Sequence, residues 1–179
     1  MLYGWLLWSL FWIFNRIDMS TLTVQNIQVS SSSSNTINVA SGHVLNAPGH
    51  VLQVVSTSAE TETSFTSSSF IATSTSVAIT PTSASSKILV TAVLPLQCAT
   101  SGIIHYTLYR GSTNLAAGNF GRFYDNASRD NQATMTFLDS PSTTSATTYA
   151  VYVKATGGGT HYYNINNAKS TIVAQEIAQ

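Results

Sequence analysis

Residues 147–155 read TTYAVYVKA, and their strict alternation predicts a β-strand. Alternate residues of a strand lie on opposite faces of the extended backbone. One face holds Tyr149, Val151 and Val153, and the other holds Ala150, Tyr152 and Lys154. Residues 103–110, IIHYTLYR, repeat the pattern, whereas residues 87–96, KILVTAVLPL, are almost continuously apolar. The apolar run predicts a strand that is buried on both sides and ends near Pro95.

The same reading extends over the C-terminal two thirds of the chain. Clusters of Gly, Ser, Thr and Asn separate short runs rich in β-branched and aromatic residues, and no helical apolar pattern with caps follows residue 19. The predicted strands are 51–57, 61–66, 69–72, 75–80, 87–97, 102–110, 113–120, 132–139, 147–155, 160–165 and 170–178. Closely spaced strands of this kind predict an all-β, antiparallel β-sandwich of jelly-roll type over residues 51–179.

Two segments precede this domain. Residues 19–50 are polar with isolated apolar positions and a serine run at 30–34, which predicts an extended shaft without a core of its own. Residues 1–18 form a hydrophobic extension containing all three tryptophans. Its uncharged part of about 13 residues is shorter than the roughly 20 needed to span a bilayer as a helix. Three explanations stay open for it: an over-extended start of the reading frame, an interfacial membrane anchor, or a cleaved signal.

The composition limits the partners. Only 8% of residues are charged, the formal net charge is zero, and Ser and Thr number about fifty. A neutral chain with few Lys and Arg residues lacks the charge expected of a nucleic-acid-binding protein. Near-zero net charge favours association, which suits a protein built into an assembly. The single cysteine, Cys98, lies in an apolar run and is interpreted as a small buried side chain.

The chain resembles tail-fibre and related structural proteins of marine bacteriophages over residues 19–179. Six strings carry the resemblance: STLTVQNIQ (20–28), INVASGH (37–43), APGHVLQVV (47–55), FIATSTSVAITPTSASSKILVTAVLPL (70–96), TFLDSPSTTSATTYAVYVKA (136–155) and STIVAQEIA (170–178). The resemblance implies a virion component that assembles as a homotrimer, contacts other virion proteins and turns its C-terminal domain toward a glycan or protein of the host surface. It implies no catalytic motif.

The candidates for catalytic chemistry are few. Asp125 and Asp130 lie with Arg122 and Arg129 in a stretch interpreted as a polar loop, where local charge pairing explains them. Asp139 precedes Pro141 by two residues and is typical of a turn. No nucleophile elbow, zinc-protease motif or phosphate loop occurs. The sequence therefore predicts a protein that is not an enzyme and has no cofactor.

Residues 42–52, GHVLNAPGHVL, contain the string GHVL twice. His43 and His50 lack the further ligands of a closed metal site, although a single histidine on a threefold axis would supply three. The alternative is a repeated structural unit in which each string adds one apolar layer to a trimeric neck. The predicted neck residues are Val44, Leu45, Val51 and Leu52.

Two stretches combine aromatic and polar side chains in the manner of saccharide-binding loops on a rigid scaffold. They predict receptor binding by Arg122, Tyr124, Asp125, Asn126, Arg129, His161, Tyr162 and Tyr163. Packing in the core or between subunits is the alternative for each. Two other functions stay open for the chain: a capsid-decorating protein without receptor contact, and a carbohydrate-binding, adhesin-like module tethered to a membrane by residues 1–18.

Overall fold

In a computed structural model of the chain, the described residues are 47–99, 101–126 and 128–179. The predicted extension 1–18 and nearly all of the predicted shaft 19–50 lie outside them. The elements are β1 (Val51–Ala59), β2 (Thr63–Phe65), β3 (Ile71–Ile79), β4 (Lys87–Cys98), β5 (Gly102–Arg110), β6 (Thr113–Asn114), β7 (Gly121–Asp125), β8 (Asp130–Asp139), β9 (Thr147–Thr156), β10 (His161–Tyr163), a 3-10 turn (Ile165–Asn167) and β11 (Ser170–Ile177).

The strands form two antiparallel sheets. In the first sheet the order is β1-β11-β4-β8. Beyond the end of β11, β10 pairs with the same edge of β4, and β2 pairs with β10. In the second sheet the order is β3-β9-β5, with β6 and β7 both paired to β5. If β1 with β2, β6 with β7, and β10 with β11 are each counted as one interrupted strand, two four-stranded sheets remain. Their strand orders are those of a jelly roll, so the predicted all-β sandwich is confirmed.

The core lies between the sheets because alternate residues of each strand turn inward. In β4, Ile88, Val90, Ala92 and Leu94 are fully buried, and the residues between them are half-buried on the outer face. The strand predicted to be buried on both faces is therefore a central strand with one face in the core. Cys98 ends this inward row and is buried, as its apolar context indicated.

Most predicted strand boundaries lie within two residues of those in the structure, and three differences are larger. The runs predicted as 69–72 and 75–80 are one strand, β3, whose pairing with β9 shifts register between Ala72 and Ser76. The strand predicted at 113–120 ends at Asn114, whose side chain bonds to Thr107, Ala116 and Gly118 and so turns the chain. Residues 121–125, predicted as part of a loop, form β7 because they complete the edge of β5.

Asp139 does more than form a turn, which was its predicted role. Its buried carboxylate accepts a hydrogen bond from Tyr149 Oη at 2.6 Å and pairs with Arg110 Nη1 at 2.8 Å. Burial and the bond to Asp139 raise the pKa of the Tyr149 hydroxyl, which therefore stays protonated as a donor. The cluster joins β5, β8 and β9 and thus links the two sheets.

Glu176 is a second buried carboxylate. It accepts hydrogen bonds from Gln53 Nε2 at 2.6 Å, and from the backbone N–H and the hydroxyl of Thr82, both at 2.8 Å. Burial acts to raise the pKa of Glu176, but donors including Gln53 and Thr82 outweigh it and hold the pKa below the ordinary value of 4.5. These hydrogen bonds hold the β3–β4 connection against β1 and β11.

Within the described residues, the structure contains no helix that is both long and apolar enough to cross a lipid bilayer.

Candidate functional site

The outer face of the second sheet carries a row of basic side chains. Register places Lys154 of β9 opposite His105 of β5, and His105 opposite Arg122 of β7. Because directly paired residues share a face of the sheet, the three side chains lie side by side across three strands. We call them the basic row.

Aromatic rings flank the basic row. Tyr109 stacks on Tyr152 with ring centroids 3.9 Å apart, and Phe70 meets the edge of Tyr109 at 6.3 Å. Lys154 Nζ lies 4.7 Å from the centroid of the Phe70 ring, in a cation–π contact that joins the aromatic residues to the basic row. Tyr124, on the other side of the row, is 60% exposed. The aromatic face is defined by Phe70, His105, Tyr109, Arg122, Tyr124, Tyr152 and Lys154.

The charge on the aromatic face is of one sign. Among the described residues of β3, β5, β7 and β9 that turn outward, none is an aspartate or a glutamate. Burial, and then the positive charges of Lys154 and Arg122, lower the pKa of His105 below its ordinary value of 6.5. The face therefore presents two permanent positive charges beside a neutral imidazole at neutral pH.

A recess of about 70 Å³ opens beside Arg122 between β7 and β8. Leu96, Tyr106, Phe123 and Asn131 are among its lining residues. Pockets for small molecules typically enclose about 300–1,000 Å³. A ligand of this face would therefore lie across the strands rather than enter the recess.

The structure separates the residues predicted to bind a receptor. Arg122 and Tyr124 lie on the aromatic face, and Asn126 and Arg129 are exposed in the connection between β7 and β8. Asp125 is buried, and its carboxylate accepts the backbone N–H groups of Asn126 at 2.7 Å and Arg129 at 2.5 Å. Asp125 therefore shapes this connection from inside the molecule.

The second predicted stretch lies in the first sheet. His161 and Tyr163 turn inward from β10 and are buried against Phe65, with ring centroids 5.8 and 6.1 Å from the Phe65 ring. Tyr162 is half-buried between Gln97 and Ser64 on the opposite side of β10. These three residues do not adjoin the aromatic face, which belongs to the other sheet.

Five residues of the aromatic face were not predicted as a site: Phe70, His105, Tyr109, Tyr152 and Lys154. The alternation in TTYAVYVKA placed Tyr152 and Lys154 on the same face of a strand, without showing whether that face turns outward. Only the pairing of β5 with β9 brings the two strands together, and strand register is not visible in one strand alone.

The predicted neck residues fall at the start of the described chain. Val44 and Leu45 lie outside it, whereas Val51 and Leu52 begin β1, and Val51 is 46% exposed. The chain enters beside β11, where the Gly49 N–H bonds to the carbonyl of Ala178 at 2.8 Å.

Val51 borders an apolar outer face of the first sheet. Val54 and Leu138 are 59% and 50% exposed, and Leu89 pairs with both Leu138 and Gln175. We call this surface the apolar face and define it by Val51, Val54, Leu89, Leu138, Val173 and Ile177.

A metal site at the repeated histidines is not seen in the described residues. His43 lies outside them, and His50 Nδ1 bonds to the carbonyl of Ala47. No group of three or more His, Cys, Asp and Glu side chains within residues 47–99, 101–126 and 128–179 is placed to hold a metal ion.

No family model and no curated protein sequence matches the chain. Among solved structures, a chain of infectious bursal disease virus, Gx strain, matches 86% of this chain at 14% identity and a TM-score of 0.45. The VP2 subviral particle of the same virus matches 80% at 12% identity and a TM-score of 0.45. This chain spans 47% and 37% of those two chains. A Bacillus endospore appendage of the disulfide-linked pili matches 76% at 12% identity and a TM-score of 0.35, with 99% of that chain covered. Similarity at this level does not extend to function.

Proposed function

We propose that the chain is a virion fibre or appendage protein of a bacteriophage, assembled as a homotrimer, whose C-terminal sandwich adheres to the host surface. The observation that carries the proposal is the contrast between the outer faces of the two sheets. The first sheet exposes the apolar face, and the second exposes the aromatic face. One sandwich thus presents a surface suited to contact with copies of itself and another suited to a receptor.

The apolar face supports self-association. Its central rows contain Val, Leu, Thr, Ser and Gln, and the charged outward residues of β4 and β8, Lys87 and Asp130, lie near opposite ends of β4. Val51, Val54 and Leu138 are exposed on this face, and exposed apolar side chains grouped on one surface can mark an interaction site. The occupant we propose is a second copy of the chain, because Val51, a residue of the predicted neck, begins β1 at the edge of this face opposite Ile177. The face would continue the contacts of the predicted neck.

The aromatic face supports adhesion. Rigid aromatic rings beside positive charges bind extended polar ligands without a deep pocket. A trimer would present three such faces on one particle, which raises avidity without new contacts. The resemblance of residues 19–179 to fibre proteins of marine phages favours the same role, with the virion as the location and other virion proteins as partners.

Self-association is tested by the mass of the full chain in solution, measured by light scattering. We expect three times the chain mass of 19.1 kDa. Val54→Lys combined with Leu138→Lys should release monomers, because it places charges in the centre of the apolar face. Thr148→Lys, at an exposed strand residue of the second sheet, is the control. A monomeric wild-type protein would remove this part of the proposal.

Position and adhesion are tested on particles. Gold-labelled antibodies against the sandwich should mark a fibre or appendage, and the purified protein should block adsorption of the phage to its host. Labelling spread evenly over the capsid, with no effect on adsorption, would favour the capsid-decorating alternative.

A further inference from the structure

We infer that the aromatic face binds an anionic saccharide, whose sugar units carry carboxylate or sulfate groups. The inference rests on the proposed function, because it names the chemistry of the receptor. It draws on three features of the face: the basic row, the rings that flank it, and the lack of outward acidic residues on the same strands.

The positive charges of the basic row favour the binding of an anion. Lys154 and Arg122 both pair directly with His105, so one positive charge lies on each side of this imidazole. None of the outward residues described on β3, β5, β7 and β9 is acidic. A sulfate or carboxylate above His105 would lie between these two positive charges.

The rings indicate that the anion belongs to a sugar. Tyr109 and Tyr152 form a stacked pair, and the Phe70 ring lies beside it. The C–H face of a pyranose packs on such rings, while the hydroxyls of Tyr109 and Tyr152 offer hydrogen bonds. Neighbouring strands are about 4.8 Å apart, so the row from β9 to β7 is roughly 10 Å long. The length of the row therefore matches the length of adjacent sugar units in an acidic polysaccharide.

The test measures binding of full-length protein to three soluble probes of equal chain length: sulfated dextran, polygalacturonate and unmodified dextran. Calorimetry should show binding of the two anionic probes that is at least ~10-fold tighter than binding of dextran. Lys154→Gln, Arg122→Gln and Tyr152→Ala should each weaken anionic binding by about 5-fold or more.

Lys169→Gln is the matched control. It removes an identical charge from an exposed lysine that pairs with Glu60 at 2.6 Å, away from the aromatic face. We expect less than about a 2-fold change in binding for this variant, because the charge of the face is intact.

Several results would overturn the inference. The first is an equal loss of anionic-probe binding in Lys169→Gln and Lys154→Gln, and the second is an affinity for dextran equal to that for the anionic probes. The others are tighter binding of a single-stranded oligonucleotide than of the anionic probes, and no binding of either anionic probe. If the protein is a trimer and blocks phage adsorption but ignores both anionic probes, the inference fails while the proposed function stands. If it neither assembles nor blocks adsorption, the proposed function fails whatever the probes show.

Discussion

At the scale of single residues, the buried carboxylates explain motifs that looked like low-complexity sequence. The string LDSPSTTSATTY contains both Asp139 and Tyr149, which the fold places in hydrogen-bond contact at 2.6 Å. Arg110 completes the cluster from β5. The string is therefore a structural motif, in which a hydroxyl and a guanidinium satisfy one buried carboxylate.

Replacing Tyr149 with phenylalanine should destabilise the sandwich. The change removes the hydroxyl that donates to Asp139 and leaves the ring in place, and a hydrogen bond to a charged group contributes about 1.5–3 kcal/mol. We expect the free energy of unfolding in urea to fall by about 2 kcal/mol. Tyr124→Phe, at an exposed position, is the control and should leave stability unchanged. Equal stability of Tyr149→Phe and the wild type would show that the cluster does not stabilise the fold.

His161 makes stability depend on pH. It is fully buried, and a Cβ on Gly102 would lie 2.5 Å from its Cε1 atom, so a larger residue at 102 would displace the ring. Burial lowers the pKa of His161 below 6.5, and the nearby Gly158 backbone offsets only part of this effect. The unfolded chain therefore binds more protons than the folded chain just below that value. Stability from this group is complete above the unfolded pKa and declines as the pH falls.

We expect wild-type stability to fall as the pH drops through about 6.5, the unfolded pKa, and His161→Leu to show a shallower decline. Leucine has no titrating group and leaves no unpaired ring nitrogen in the core. His50→Gln controls for the loss of a histidine elsewhere. Chemical denaturation at a series of pH values gives the slopes, and parallel slopes for wild type and His161→Leu would refute the assignment.

At the scale of elements, alternation in the sequence predicted most strands because one face of each enters the core. TTYAVYVKA and IIHYTLYR became β9 and β5, and the residues Tyr149, Val151 and Val153, which were predicted to share a face, turn inward. The misplaced boundaries follow from contacts between distant strands. β7 forms because β5 offers an edge to Gly121–Asp125, and β3 is continuous because β9 spans its irregularity.

The candidate site was harder to predict than the strands for the same reason. Arg122 and Tyr124 were predicted from a local cluster of aromatic and polar residues. Lys154 and His105 join them through register over about fifty residues of sequence, which no local pattern reveals. His161 and Tyr163 were predicted to lie in a strand and to bind a receptor, but β10 continues the first sheet and turns both side chains inward.

The β3–β4 connection should depend on Glu176. Its carboxylate accepts the backbone N–H groups of Thr82 at 2.8 Å and Ser83 at 3.3 Å, and a glutamine there would turn an amide donor toward some of these donors. We expect Glu176→Gln to lower the free energy of unfolding at neutral pH by about 2 kcal/mol.

Measurements at acidic pH separate the loss of these hydrogen bonds from a general loss of packing in Glu176→Gln. The folded pKa of Glu176 is lowered, so its contribution is present above the unfolded pKa near 4.5 and is lost as the pH falls through the folded value. The difference between wild type and Glu176→Gln should therefore shrink in acid. A difference that stays constant with pH would point to packing alone. Glu62→Gln, at an exposed position, is the control.

At the scale of the whole molecule, a protein with so little charge places its interactions on faces rather than in a cavity. The seven Lys and Arg residues balance the seven Asp and Glu residues in number but not in position. Asp139 and Glu176 are buried in the fold, while Lys154 and Arg122 lie on the outer face of the second sheet. The separation leaves one neutral, apolar face and one basic, aromatic face on the same sandwich.

The predicted neck supplies the last test at this scale. Residues 19–50 are predicted to lack a core of their own, and both Val-Leu pairs of GHVLNAPGHVL are predicted to add apolar layers between three chains. We expect the chain from residue 19 to be a trimer by light scattering, and the chain from residue 51 to lose affinity between subunits because only the apolar face remains. Its mass should then decrease on dilution. A stable trimer from residue 51 would assign assembly to the apolar face alone, and a monomer from residue 19 would contradict both the neck and the trimer.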